Sequence, residues 1–261
     1  MNEEPKQGRA SLQKLLDLEP GQPLNGALKK LFDSEQKRLH QLWQQERIIW
    51  EKAPQALIVG ADEVGRGPLA GPLVAAAVVF QEPLFQVGIN DSKKLTHLER
   101  ESLYERLLKT PVHFAVSVIS HEEIGVGNLH LLSLRAIENA VRALSIDPHL
   151  LLIDGCYGLK CDDIPQRPVV GGDRLCASIA AASILAKVTR DRMMVELDQQ
   201  YPGYNLAKNK GYGTADHLKA LRQLGPCPIH RINFAPVRRM RHEQLDLFKK
   251  VPKTKSKVVP E

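Results

Sequence analysis

Cysteines and long apolar runs are both scarce in this sequence, and each shortage excludes a class of protein. The cysteines form no C-x-x-C pair and no spacing typical of metal ligands, so we expect reduced thiols rather than disulfides or a zinc site. The four cysteines are Cys156, Cys161, Cys176 and Cys227. The longest apolar stretch, Leu69 to Phe80, is interrupted by Gly71 and Pro72 and falls short of the roughly 20 residues that cross a bilayer. The sequence therefore predicts no transmembrane helix.

The sequence also gives no reason to expect an export signal. The chain opens with acidic and polar residues, without the apolar core behind a basic start that a secretory signal requires, so we expect a cytoplasmic protein. Hydrophobic residues make up 43% and charged residues 25% of the chain, which is ordinary for a globular protein. The formal net charge is +6, but residues 237–261 alone carry eight Lys/Arg against three Asp/Glu. This surplus fits a solvated terminus as well as a phosphate contact, so charge alone assigns no function.

The polar beginning of the chain differs from the part that follows. Over residues 28–50, apolar residues recur at three- and four-residue steps among Lys, Glu and Gln, which indicates an amphipathic helix ended by Pro54. We predict an N-terminal helical extension at residues 1–55, a main domain at residues 56–240 and a basic, partly disordered tail at residues 241–261. The apolar stripe of the extension must pack either on the main domain or on another molecule.

Strand and helix patterns alternate within the main domain. Apolar, β-branched segments predict strands, and three- to four-residue periodicity predicts helices. The expected strands cover residues 56–61, 73–80, 112–119 and 150–154, and the expected helices cover about 129–144 and about 173–200. This alternation predicts an α/β fold.

Four acidic residues stand where solvation explains them poorly. Asp62 and Glu63 directly follow an apolar run, Asp154 ends another, and Asp173 begins a helical pattern with little charge in its first turns. Taken singly, each has an ordinary explanation as a turn residue or a helix N-cap. Together they predict a metal site, because clustered carboxylates repel one another unless a cation neutralises them. An all-oxygen cluster favours Mg²⁺ or Mn²⁺, and two such ions suit phosphodiester hydrolysis.

The adjacency of Asp62 and Glu63 leaves two alternatives for this site. Neighbouring side chains on a regular strand point to opposite faces of the sheet. Either the strand has ended by residue 62, or Glu63 serves partly through its main-chain carbonyl.

A glycine-rich turn, Gly65-Arg66-Gly67-Pro68, comes next. Because glycine lets the backbone approach a ligand closely, this turn suits contact with a sugar-phosphate. Arg66 fits either a phosphate contact or a structural salt bridge to an acidic neighbour.

These segments resemble the signature motifs of the ribonuclease HII family. The resemblance covers residues 56 to about 240 and rests on motifs that occur in the family's order. The motifs are Gly60-Ala61-Asp62-Glu63-Val64-Gly65-Arg66-Gly67-Pro68-Leu69-Ala70-Gly71-Pro72, Asp91-Ser92-Lys93-Lys94-Leu95, Ile153-Asp154-Gly155, Gly172-Asp173, Ala177-Ser178-Ile179-Ala180-Ala181-Ala182-Ser183, Ala186-Lys187-Val188-Thr189-Arg190-Asp191, Lys210-Gly211-Tyr212-Gly213-Thr214, His230-Arg231 and Phe234-Ala235-Pro236-Val237. The resemblance implies a ribonuclease H-like mixed sheet flanked by helices, with C-terminal helices completing the substrate cleft.

The same resemblance implies roles for individual residues. The implied catalytic and metal-binding acids are Asp62, Glu63, Asp154 and Asp173. They would hold two Mn²⁺ or Mg²⁺ ions in the active complex. The implied substrate-binding residues are Gly65, Arg66, Gly67 and Tyr212. This second group would recognise the ribonucleotide 2′-hydroxyl, which separates RNA from DNA.

The implied activity is that of an endonuclease. It would hydrolyse the RNA strand of RNA–DNA hybrids and cut 5′ of ribonucleotides embedded in duplex DNA, leaving 5′-phosphate and 3′-hydroxyl ends. We expect a monomer that removes ribonucleotides from DNA, without a membrane partner and with any replication or repair partner unidentified. Three alternatives are a ribonuclease HIII-like hybrid nuclease, a non-catalytic module that binds hybrids and a helix-mediated scaffold.

The sequence departs from the family pattern before the last acid. The family usually has a lysine just before the Gly-Asp pair, where this chain has Gly171. Four further polar residues near this acid suit either phosphate contact or a structural role, and we assign them no function: Ser183, Lys187, Arg190 and Arg192.

Overall fold

The computed structural model describes residues 14–16, 23–83, 88–90, 92–110 and 113–241. Its helices are α1 Gly26–Leu42, α2 Gln44–Lys52, α3 His97–Lys109, α4 His121–Val126, α5 Leu129–Arg142, α6 Ala177–Gln200, α7 Leu206–Asn209 and α8 Ala215–Leu224. Its strands are β1 Ile58–Val64, β2 Leu73–Phe80, β3 His113–Ile119, β4 Leu150–Asp154 and β5 Gln166–Val169. None of the helices in these ranges combines the length and the apolar composition that a membrane span needs. Apart from Arg241, the expected C-terminal tail lies outside the described residues.

The chain forms two compact units. The first takes in residues 1–66, 73–119 and 128–192, and the second takes in residues 67–72, 120–127 and 193–261. The sheet belongs entirely to the first unit, so the two are described separately below.

The first unit is built on a five-stranded mixed sheet in the order β3-β2-β1-β4-β5. β1 and β2 form an antiparallel pair, β2 and β3 form another, and β4 lies parallel to both β1 and β5. Every residue of β2 is buried, which explains why this strand is a continuous apolar run rather than an alternating one. The predicted α/β class and the mixed sheet are confirmed.

Residues 26–52 form two helices where the sequence pattern predicts one. α1 ends before Trp43, whose main-chain N–H still donates to the carbonyl of Leu39, and α2 begins directly after it. Trp43 is fully buried and meets the ring of Phe80 edge-on, with the ring centroids 5.0 Å apart. Of the two possible surfaces for the apolar stripe, these helices therefore pack on the first unit's own sheet.

The long helix α6 begins later than the sequence pattern predicts. Residues Gly172–Arg174 form a 3₁₀ turn instead, and α6 starts at Ala177. The turn is set by Gly171, which has φ +67° and therefore adopts a conformation that favours glycine. The start of α6 lies against β1: a Cβ at Gly60 would come within 2.2 Å of the main-chain carbon of Ser178. Only glycine fits this close approach of helix and strand.

The second unit is organised around a buried arginine and an apolar cluster. The cluster consists of Leu69, Ala70, Met194, Tyr204, Leu206, Ala220, Leu221, Ile229 and Val237. The guanidinium of Arg231 donates hydrogen bonds to the main-chain carbonyls of Pro68, Gly71 and Pro72 at 2.8–3.1 Å. Because a buried charge is costly unless its donors are satisfied, these bonds hold residues 68–72 in one conformation.

Candidate active site

Asp62 and Asp154 lie side by side on neighbouring parallel strands. β1 and β4 pair in a register that sets Ala61 opposite Ile153, so the next residue of each strand is a carboxylate at the same edge. Asp62 is buried, and this burial, followed by the charges of Glu63 and Asp154, raises the pKa of Asp62 well above its usual range. A carboxylate that is desolvated beside two others is strongly stabilised by a nearby cation.

Glu63 belongs to the same strand as Asp62. β1 continues to Val64, with Asp62 opposite Ala76 and Glu63 opposite Ala75, so the alternative in which the strand ends by residue 62 is wrong. The side chain of Glu63 lies 3.5 Å from the guanidinium of Arg66, and its main-chain N–H donates to Asp62 Oδ1 at 2.7 Å. The alternative that uses the Glu63 main-chain carbonyl is compatible with this strand geometry.

Asp154 and Asp173 are connected through Gly172. The Gly172 N–H donates to Asp154 Oδ1 at 2.7 Å, and a Cβ at Gly172 would meet the same oxygen at 3.4 Å. Asp173, in the 3₁₀ turn, is buried, and its carboxylate lies 3.2 Å from Lys93 Nζ and 3.9 Å from Arg174 Nε. The prediction that Asp173 begins a long α-helix is therefore wrong, although the turn still places it next to Asp154.

Two polar residues near these acids were not predicted as site residues. Lys93 is a mostly exposed cation on Asp173, and Ser183 is a buried hydroxyl that hydrogen-bonds to Asp62. Ser183 Oγ also lies 2.9 Å from Ser92 Oγ. The sequence marked Lys93 only as part of the Asp91–Leu95 motif, which indicates no chemistry by itself. It marked Ser183 only as a polar residue that suits either phosphate contact or a structural role.

The donor set suits a hard divalent cation. All four expected ligands are carboxylates, the type of oxygen ligand that Mg²⁺ and Mn²⁺ prefer. The mutual repulsion that raises the Asp62 pKa is relieved when a cation binds. Within the described residues, no three His, Cys, Asp or Glu side chains are already arranged to hold one ion. In this conformation the acids instead contact Lys93, Arg66 and the Gly172 N–H.

The glycine turn divides between the two units. Gly65 and Arg66 belong to the first unit, and Gly65 has φ +101°, which only glycine adopts readily. Gly67 and Tyr212 belong to the second unit, where a Cβ at Gly67 would lie 3.7 Å from Tyr212 Cε1. Tyr212 is 40% exposed, so part of its surface is open to a ligand.

The basic residues of α6 contact acidic neighbours. Lys187 Nζ lies 2.6 Å from Asp191 Oδ1, and burial lowers the pKa of Lys187. Arg192 pairs with Glu101 and Glu105. These contacts within the first unit favour the structural role for both side chains.

Comparison with known proteins adds sequence relatives to this geometry. A family model described as Ribonuclease HII matches residues 59–237. A curated Ribonuclease HII from Desulfitobacterium hafniense strain Y51 is 46% identical over 213 residues, which are 82% of this chain and 80% of the relative. A Ribonuclease HII from Citrifermentans bemidjiense is 51% identical over 181 residues, covering 69% of this chain and 78% of the relative.

Solved structures share the fold. Ribonuclease H2 from Pyrococcus horikoshii OT3 superposes with a TM-score of 0.63 at 27% identity and covers 74% of this chain and 99% of its own. RNase HII in the PCNA:RNase HII complex from Archaeoglobus fulgidus superposes with a TM-score of 0.61 at 24% identity. The match covers 73% of this chain and 100% of the other. Bst-RNase HIII in complex with Mn²⁺ superposes with a TM-score of 0.59 at 19% identity. The match covers 79% of this chain and 72% of the other. The last two likenesses show the fold alone.

Proposed function

The chain belongs to the Ribonuclease HII family and is a ribonuclease H enzyme, and from this premise we propose what it cuts and how. It is an endonuclease that hydrolyses the RNA strand of RNA–DNA hybrids and cuts 5′ of single ribonucleotides in duplex DNA. The observation that carries this proposal is the buried Asp62 next to Asp154 on paired parallel strands, with a pKa raised by burial and by neighbouring carboxylates.

The four acids are the proposed catalytic and metal-binding residues: Asp62, Glu63, Asp154 and Asp173. They would hold Mn²⁺ or Mg²⁺. When two such ions are bound, they supply an activated water and stabilise the leaving 3′-oxygen, so that the products carry 5′-phosphate and 3′-hydroxyl ends.

The neighbours of these acids prepare the site before metal binds. The Gly172 N–H orients the Asp154 carboxylate, and the Ser183 hydroxyl hydrogen-bonds to Asp62. Lys93 balances the charge of Asp173, and its 79% exposed side chain is open to exchange this contact for a substrate phosphate. Contacts that orient the carboxylates before metal binds supply the preorganisation that an active site requires.

Sugar recognition is assigned to four residues: Gly65, Arg66, Gly67 and Tyr212. The positive φ of Gly65 and the absence of side chains at both glycines let the main chain approach the sugar closely. The half-exposed phenol ring of Tyr212 packs against a ribose, and a 2′-hydroxyl gives this contact its preference for RNA.

The role and the organisation of the chain form a further part of the proposal. It is a cytoplasmic monomer that removes ribonucleotides from DNA, with residues 56–240 as its catalytic domain. Residues 1–55 are its helical extension and residues 241–261 its basic tail.

A replication partner is proposed for the tail. The Archaeoglobus fulgidus relative was solved in a complex with PCNA. Outside the described residues, this chain carries Gln244-Leu245-Asp246-Leu247-Phe248, three apolar side chains in an otherwise polar segment. Such a short segment suits the apolar groove of a sliding clamp. Binding of the full chain to its host's clamp should be lost when Leu247 and Phe248 are both changed to Ala, while nuclease activity remains.

The test of the activity is cleavage of a DNA duplex that contains one ribonucleotide, with Mn²⁺, with Mg²⁺ and with EDTA. We expect a metal-dependent cut on the 5′ side of the ribonucleotide, lost in Asp154→Asn and retained in Asp147→Asn, which changes an exposed acid of the same unit. Binding without cutting would favour the non-catalytic alternative. If the enzyme cuts long hybrids but leaves the single-ribonucleotide duplex intact, the result would favour the ribonuclease HIII-like alternative.

A further inference from the structure

Two buried histidines of the second unit face each other. His217, on α8, and His230 are 0% and 2% exposed, and their Nε2 atoms lie 3.1 Å apart. Burial lowers the pKa of both rings, that of His230 to about 4. Both rings are therefore neutral near pH 7, and one of the two facing nitrogens carries a proton that it donates to the other. We call His217 and His230 the histidine relay.

The outer nitrogens of the relay set the direction of its hydrogen bonds. His217 Nδ1 lies 2.9 Å from the main-chain oxygen of Tyr212, and because a carbonyl only accepts, this nitrogen donates. His217 Nε2 then accepts, and His230 Nε2 donates to it. At the far end, His230 Nδ1 accepts the main-chain N–H of Cys227 at 3.1 Å. One directed chain of hydrogen bonds thus runs from the Cys227 N–H to the Tyr212 carbonyl.

Aromatic packing fixes the planes of both rings. The ring of Tyr204 lies 4.9 Å from the His230 ring and 6.3 Å from the His217 ring, measured between centroids. The Tyr204 hydroxyl donates to the main-chain carbonyl of Gly225 at 2.6 Å, which holds this ring in place. After burial and His217, the nearby His121 also lowers the pKa of His230. The relay is therefore a rigid, fully satisfied network rather than a pair of loosely packed rings.

The relay reaches the two segments that carry the sugar-binding residues of this unit. Its His217 end holds the main chain at Tyr212, whose ring faces Gly67. At the other end, the main chain at His230 forms an isolated antiparallel bridge with Ala70, three residues after Gly67. The relay therefore links the main chain at Tyr212 to the chain segment that pairs with Ala70, just after the glycine turn.

We propose that His217 and His230 are positioning residues for ribonucleotide recognition, because the histidine relay fixes the Tyr212 main chain and so aims its phenol ring at the substrate sugar. This inference rests on the sugar-binding role proposed above for Tyr212. Ordinary core packing by the two rings would stabilise the second unit without acting through Tyr212.

The test is a double-mutant cycle on the full-length enzyme, with kcat/KM measured on the single-ribonucleotide duplex. The variants are His217→Leu, His217→Asn, Tyr212→Ala and the double variant His217→Leu/Tyr212→Ala. His217→Leu removes the donor to the Tyr212 carbonyl and should lower kcat/KM by about tenfold. His217→Asn places an amide N–H where Nδ1 was and should restore most of the activity. In the Tyr212→Ala background, His217→Leu should cause no further loss.

The matched control is Leu221→Ala, which opens a cavity on the same helix and leaves both histidines of the relay in place. Measured below its melting transition, this variant should keep the wild-type kcat/KM. Should His217→Leu fail to fold, His230→Ala takes its place in the same cycle, since it breaks the relay at the other ring.

The outcomes separate the two proposals. Equal losses from His217→Leu in both backgrounds, or no rescue by His217→Asn, would overturn the relay and leave the proposed activity intact. Wild-type activity in Tyr212→Ala would overturn the sugar-binding role of Tyr212 and the relay with it. A wild-type enzyme that does not cut the duplex at all would overturn the proposed function itself.

Discussion

Changing Glu46 should reveal how strongly the N-terminal helices support the catalytic core. Glu46, on α2, is fully buried, and its Oε1 accepts hydrogen bonds from the Ser178 N–H at 3.0 Å and the Ser178 hydroxyl at 2.8 Å. Ser178 is in the first turn of α6, so Glu46 satisfies donors that a helix start leaves open. Its Oε2 is buried and has no hydrogen-bond partner among the described residues.

The size of the effect follows from these contacts. Glu46→Ala removes two hydrogen bonds of about 1–3 kcal/mol each and leaves a cavity, while it relieves part of the cost of burying a carboxyl group. We expect a net loss of about 3 kcal/mol in the free energy of unfolding, which lowers Tm by about 6–12 °C for a domain of this size. Glu46→Gln keeps the acceptor oxygen and should stay within about 1 kcal/mol of wild type.

The pH dependence has a definite sign. Burial raises the pKa of Glu46, so the folded state holds this proton more tightly than the unfolded state does. The free energy of unfolding therefore falls as pH rises above the ordinary glutamate value, until the folded-state pKa is passed. Relative to Glu46→Gln, which cannot titrate there, wild type should be more stable at pH 5 than at pH 8.

Urea unfolding followed by circular dichroism at both pH values measures these differences. Glu51→Ala, an exposed glutamate on the same helix, is the control and should match wild type. Two results would refute this reasoning. One is a free energy of unfolding for Glu46→Ala within about 1 kcal/mol of wild type. The other is a difference in the free energy of unfolding between wild type and Glu46→Gln that is the same at pH 5 and pH 8.

Three further predictions concern the active-site edge of the first unit. Gly60→Ala places a Cβ within 2.2 Å of the Ser178 main chain and should lower stability by more than about 3 kcal/mol in thermal melts, whereas Gly26→Ala, with open space around it, should not. Mn²⁺ should raise the Tm of wild type, with EDTA reversing the shift, but should leave a variant that carries both Asp62→Asn and Asp154→Asn unchanged. Lys93→Met removes a cation from Asp173 and should tighten Mn²⁺ binding about twofold to fivefold, as measured by calorimetry. Lys94→Met changes the exposed neighbouring lysine and should leave the Mn²⁺ affinity unchanged. Equal Mn²⁺ affinities in the two variants would contradict this role of Lys93.

Two strands of the sheet were predictable because their signals are local. β2 is a continuous apolar run, and β4 is an apolar run that ends at Asp154, so both could be predicted from the sequence alone. β5 has the sequence Gln-Arg-Pro-Val and lies at the edge of the sheet, where it needs no apolar alternation, and the sequence pattern did not reveal it. The break at Trp43 also escaped prediction, since neither proline nor glycine marks it.

The details of the candidate site depended on contacts between distant residues. Asp173 was predicted to start a helix, because the pattern does not show that Gly171 takes up a positive φ and leads into a 3₁₀ turn. Lys93 pairs with an acid far along the chain, and the two histidines of the relay have no spacing that marks a pair. Periodicity reports which face of an element is buried, and it does not report which polar side chains meet.

The parallel pairing of β1 with β4 also imposes an order on synthesis. Asp62 and Glu63 leave the ribosome long before Asp154 and Asp173, because β2, β3 and three described helices come between them. Parallel strands cannot pair until their crossover connection has been made. The carboxylates therefore cannot meet on a short nascent chain, and a translation product that stops before β4 carries two of the acids but no assembled cutting centre near the messenger RNA that encodes it.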